Sequence, residues 1–69
     1  MKLSARNVFK GKVVDVDKGQ VTAIVRVDIG GGNIVTSSIT LASAKELGLK
    51  KGSEVSVIIK SSEVILGVN

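Results

Sequence analysis

Small donors stand beside cations at three places in this chain. Ser4-Ala5-Arg6-Asn7 precedes the first apolar run, Thr40 and Ser43 open the one helix-forming stretch, and Lys60-Ser61-Ser62 joins the last two apolar runs. Hydroxyls, backbone N–H groups and one or two cations are what a small oxyanion requires, because its oxygens are acceptors. A helix start adds unpaired N–H groups and partial positive charge. Each piece also has a plainer use. Ser43 suits a helix cap, Ser61-Ser62 a turn, and Lys60 a side chain that reaches into solvent.

Other chemistries are poorly served. With Cys 0 and His 0, disulfides, thiolate-metal sites, zinc fingers and Cys–His or Ser–His nucleophiles are ruled out. No imidazole is present to act as a general base near neutral pH. The six carboxylates are scattered, so no metal-cation site is expected. Lys60 beside Ser61 does not make a nucleophile pair, since neighbouring side chains of a strand point to opposite faces. The expectation is a protein that binds and does not catalyse, with no cofactor.

The elements that must position these donors are mostly strands. Val is 12 and Ile is 7 of 69 residues, and β-branched aliphatics fit a pleated, half-buried surface. The alternation predicts strands over Val8–Val16, Gln20–Ile29, Ile34–Leu41, Glu54–Lys60 and Ser62–Val68. Asp17-Lys18-Gly19 and Gly30-Gly31-Gly32-Asn33 read as turns. Ala42–Leu47 reads as a short helix ended by Gly48 at its C′ position. The order β-β-β-α-β-β predicts an all-β fold with one short helix, a five-stranded OB-like barrel. An SH3-like barrel would not normally place a helix there.

A chain of 69 residues is one small domain, and such a domain buries only about 60% of the surface its unfolded chain exposes. With no disulfide or metal, association with other chains is the remaining support. Ile24, Ile58 and Ile65 fall on faces opposite the better-alternating sets, with Val14 and Val16 counted as outward too, and this points to a buried subunit interface. The formal net charge of +4 and pI near 9.8 favour anionic partners. No run is long enough for a transmembrane helix, Met1–Asn7 has no apolar signal-peptide region, and the lack of Cys fits a cytoplasmic location.

An OB barrel also admits single-stranded nucleic acid, which is the alternative function. Such readers stack bases on aromatic platforms in a basic groove. Phe9 is the one aromatic residue, and the ten Lys and Arg alternate with acids. The residue chemistry therefore argues against base stacking.

Ser4-Ala5-Arg6-Asn7 followed by Phe9-Lys10-Gly11-Lys12-Val13 resembles the SARN-x-(L/F)-x-G-x-(V/I) opening of the molbindins, small molybdate-binding proteins made of a single Mop domain. The similarity runs through Lys18-Gly19, Gly31-Gly32-Asn33, Ile39-Thr40 with Ser43, Glu46-Leu47-Gly48-Leu49, Lys51-Gly52 and Lys60-Ser61-Ser62-Glu63-Val64. The resemblance implies one Mop domain over residues 1–69. It further implies a homo-oligomer, a hexamer built as a trimer of dimers, holding molybdate or tungstate between subunits for intracellular storage or homeostasis. Carried over by motif, the main site would use Ser4, Arg6, Thr40, Ser43, Lys60 and Ser61. A second oxyanion site near threefold axes would fall at Lys18, Gly19 and Gln20. Nucleic acid and membrane are not expected partners.

Overall fold

The computed structural model describes residues 1–69. Four strands form one antiparallel sheet: β1 (Asn7–Lys18), β2 (Thr22–Gly30), β3 (Asn33–Thr40) and β4 (Glu54–Ile59), in the spatial order β3-β2-β1-β4. The helix α1 (Leu41–Glu46) follows β3 directly, and a 3-10 turn (Ser61–Glu63) follows β4. No helix is long and apolar enough to cross a membrane.

The 12-residue β1 strand organises the rest. Its first half pairs with β4, from Asn7↔Ile59 to Lys12↔Glu54, and its second half pairs with β2, from Lys12↔Asp28 to Lys18↔Ala23. The two ladders overlap at Lys12. Where β1 crosses β2, Gly11 leaves no room for a side chain: a Cβ there would meet Val27 Cγ1 at 2.5 Å and the Asp28 carbonyl oxygen at 2.9 Å. The glycine at this position is therefore a requirement of close strand approach.

A bulge between Val13 and Asp15 leaves Val14 without a register partner. It changes the facing of the strand. Val13 opposite Val27 and Val16 opposite Val25 both turn to the core, although they are three residues apart. Val16 is therefore not the outward aliphatic that simple alternation predicts, because an extra residue shifts the period by one. Val13, Val25 and Val27 form the buried centre, with Val16, Ile29, Ile39, Leu49, Val55 and Val57 packed around it.

β2 carries the alternation read from sequence. Ala23, Val25 and Val27 are buried, while Val21 lies before the strand and is 74% exposed. The β2–β3 hairpin turns at Gly31-Gly32, secured by Gly30 N–H donating to Asp28 Oδ1 at 2.8 Å and Asn33 Nδ2 donating to the Gly30 carbonyl at 3.1 Å. Helix α1 ends as expected at Gly48, whose φ is 65°. Gly48 N–H donates to Lys45 O and Leu49 N–H to Ala44 O, a Schellman pair that seats Leu49 against the core.

The fifth strand expected over Ser62–Val68 is not formed. Residues 61–63 make the 3-10 turn, and Ile65, Leu66 and Val68 are 93%, 90% and 100% exposed. A strand needs a neighbouring backbone to satisfy its N–H and C=O groups, and this segment has none in its own chain. The sheet therefore stays open, with β3 and β4 as its edges, in place of the closed five-stranded barrel predicted from the element count. β4 also ends one residue early, so Lys60 lies just beyond it.

The open sheet leaves an apolar groove of about 280 Å3 between β3 and β4, lined by Ile39, Leu47, Leu49, Val55 and Val57 among others. Only five of the 69 residues are buried. That is too small a core to outweigh the ordering entropy of a chain this long by any wide margin.

Candidate functional site

Asn7 and Ile59 are the last rung of the β1–β4 ladder. Arg6 and Lys60 are the next residues outward, one on each chain segment, so the fold brings these two cations to one end of the sheet. Ser4 is exposed in a bend ahead of β1. Arg6 Nη1 donates to the Leu3 carbonyl at 3.4 Å and otherwise faces solvent. Lys60 occupies the cap position of the 3-10 turn, where its carbonyl accepts from Glu63 N–H at 2.9 Å. Ser61 begins that turn and is exposed. The N–H groups of Lys60, Ser61 and Ser62 have no hydrogen-bond partner within the chain.

Neither Arg6 nor Lys60 is neutralised. The chain's one ion pair is Arg26 Nη1 with Asp15 Oδ1, 2.9 Å apart on the outer face of β1 and β2. Both of its side chains are largely solvated, so it adds no more than about 1 kcal/mol. The charge at the Arg6–Lys60 end is available to an anion.

Thr40 and Ser43 sit elsewhere. Thr40 pairs with Thr22 at the β2–β3 end, close to where Leu41 N–H donates to Val21 O at 2.7 Å. The cap of α1 is Thr40, not Ser43: Thr40 Oγ1 accepts from Ser43 N–H at 3.0 Å and donates to Ser43 Oγ at 2.8 Å. Ser43 keeps its own hydroxyl proton free to donate. Lys18, Gly19 and Gln20 form the neighbouring β1–β2 turn, where Gly19 N–H donates to Thr22 O at 2.8 Å, and all three are exposed.

The six donors named in sequence therefore divide into two groups. Ser4, Arg6, Lys60 and Ser61 lie beyond one end of β1, whereas Thr40 and Ser43 lie beyond the other, beside Lys18–Gln20. A strand rises about 3.3 Å per residue, and β1 has 12 residues. No single tetrahedral anion bridges that separation, so one chain alone does not assemble all six around one ligand.

A broad concavity of about 850 Å3 belongs to neither group. It opens broadly to solvent between Lys10 and Lys12 on β1, Asp28 and Gly30 on β2, and Glu54 on β4. Its two lysines are matched by two carboxylates, which repel a dianion, so the donor groups at the strand ends are better suited to anion chemistry. No cluster of acids capable of holding a metal cation is present. Phe9, opposite Val57 on β4 and 40% exposed, is the sole aromatic residue.

Asn7 is a residue that composition and spacing do not single out. Its Nδ2 donates to the Ile59 carbonyl oxygen at 3.1 Å, across 52 positions of sequence. The available signal was its place in the motif, directly between Arg6 and the first rung of the sheet.

Residues 3–66 match the model of the TOBE domain. The chain is 54% identical over 68 residues to a probable molybdenum-pterin-binding protein of Haemophilus influenzae, covering 99% of both sequences. Among solved structures, MopII from Clostridium pasteurianum superposes with a TM-score of 0.90 at 49% identity, covering 97% of this chain and 100% of that one. A molybdate-binding protein from Sporomusa ovata superposes with a TM-score of 0.91 at 31% identity, covering 99% and 100%.

Proposed function

The chain belongs to the TOBE domain family, and from that membership we propose that it binds molybdate, and tungstate alike, without catalysing a reaction. The observation that carries this is similarity over essentially the whole chain to a protein named for molybdenum-pterin binding and to the structure of a molybdate-binding protein. The uncompensated Arg6–Lys60 pair and the unpaired N–H groups beside it support the reading chemically. Molybdate at neutral pH brings only acceptors, and a donor-only pocket disfavours protonated oxyanions, whose O–H would lack an acceptor.

The site is shared between chains. Ser4, Arg6, Lys60 and Ser61 of one copy meet Thr40 and Ser43 of another, and Lys18–Gln20 contribute to a second class of site. The separation of these groups along β1 supports this. So does the tail: Val64, Ile65, Leu66 and Val68 are exposed while an apolar groove lies open between two unpaired strand edges. A tail from a second copy, laid into that groove, supplies the fifth strand and closes the barrel. At about 25 cal/mol per Å2 of apolar surface removed from water, burying such side chains provides the support that five buried residues cannot. The assembly is a hexamer, and its role is storage or homeostasis of molybdenum in the cytoplasm, a reducing compartment suited to a chain without Cys.

Thermal unfolding tests the reading. A ligand that binds only the folded state stabilises it by about 2.7 kcal/mol at one hundred times its Kd, so molybdate raises the melting temperature in a concentration-dependent way. A melting temperature indifferent to molybdate refutes it.

A further inference from the structure

Asn7 is poorly suited to the place it holds. It sits half-buried at the start of β1, where a β-branched side chain would fit a pleated surface better. Its amide is nonetheless committed to one bond, Nδ2 to the Ile59 carbonyl oxygen at 3.1 Å. The carbonyl is an acceptor only, which fixes the NH2 side of the amide toward it.

That carbonyl belongs to the peptide unit that also contains the Lys60 N–H. The unit is planar and trans, so holding the Ile59 oxygen on one side sets the direction of the Lys60 N–H on the other. The ladder stops at this rung, and strand ends without a following rung open readily. Beyond this rung the side chains are loosely held: the Lys60 carbonyl accepts from Glu63 N–H at 2.9 Å, but the Lys60 side chain has no partner and Arg6 has only its 3.4 Å contact with Leu3 O.

We propose that Asn7 is a positioning residue for oxyanion binding: by clamping the Ile59 carbonyl it orients the Lys60 peptide unit and keeps Arg6 and Lys60 together at one strand end. The inference rests on the oxyanion reading above. Asn7 itself does not touch the anion and acts through Lys60.

The test is a double-mutant cycle on the full assembled chain, with molybdate as the probe in calorimetry. Asn7→Leu keeps the volume and removes the donor. One hydrogen bond of about 1 kcal/mol corresponds to roughly a fivefold weaker Kd, and oligomer mass should be unchanged. Lys60→Met should weaken binding strongly in the native background and several-fold less in the Asn7→Leu background, a coupling that a merely structural role would not produce. Full affinity in Asn7→Leu, with Lys60→Met still weak, overturns the positioning role and leaves the oxyanion reading intact. Losses that simply multiply in the double variant overturn it as well. Absence of molybdate binding by the native protein overturns both. If Asn7→Leu does not assemble, hydrogen exchange on the native protein decides: molybdate should slow exchange of the Lys60 amide, and an unchanged rate overturns the proposal.

Discussion

Thr40 and Ser43 share two hydrogen bonds across the first turn of α1: Ser43 N–H donates to Thr40 Oγ1 at 3.0 Å, and Thr40 Oγ1 donates to Ser43 Oγ at 2.8 Å. Both bonds converge on one threonine oxygen, so Thr40 holds the helix cap in addition to its place in the proposed shared site, while Ser43 retains a free donor. The two residues should separate on substitution. Thr40→Val should lower stability by about 1 kcal/mol, the usual loss for an N-cap, measured by urea denaturation. Ser43→Ala should leave stability nearly unchanged and weaken molybdate binding. Equal destabilisation by both would contradict this division.

Gly11 should not tolerate a side chain. The Cβ of Gly11→Ala would lie 2.5 Å from Val27 Cγ1 and 2.9 Å from the Asp28 carbonyl oxygen, and the second of these is backbone that cannot step aside. Overpacking of this kind costs about 1–3 kcal/mol. A melting temperature equal to that of the native protein would show that β1 and β2 can part without loss.

The tail should govern assembly. Ile65→Lys with Leu66→Lys changes residues that are 93% and 90% exposed in the single chain, and such changes on a free surface are usually within about 0.5 kcal/mol. In the proposed assembly the same side chains lie in an apolar groove of another copy, so sedimentation should show dissociation toward smaller species. An unchanged mass would place the tail outside the interface.

Much of the fold was legible because β2 obeys a strict period of two. Ala23, Val25 and Val27 face inward in register with Ile39, Ser37 and Val35. The bulge at Val14 was not legible, since one inserted residue leaves the local composition unchanged while reversing the facing of Val16. Ser62–Val68 has the composition of a strand, but composition does not say which backbone a strand will pair with, and here the chain offers none. The donor residues of the site were legible by type. Their division into an Arg6–Lys60 end and a Thr40–Ser43 end was not, because it depends on which halves of β1 pair with β4 and β2.

Lys60 and Lys50 offer a matched comparison. Lys50 lies in the turn after α1, where its N–H donates to Ser53 Oγ at 3.0 Å and its side chain is exposed. Lys60→Met should weaken molybdate binding by roughly ten- to a hundredfold, the equivalent of one charge-assisted hydrogen bond. Lys50→Met removes the same charge and should have almost no effect. Equal losses would mean that net charge alone attracts the anion.

Calorimetric titration of the native protein with molybdate, and with sulfate at equal ionic strength, tests the central claim most directly. The two are tetrahedral dianions of the same charge, so a generic attraction to positive charge cannot distinguish them. The account predicts saturable heat with molybdate and a far weaker response to sulfate. No heat at millimolar molybdate, or a sulfate isotherm matching that of molybdate, would contradict it.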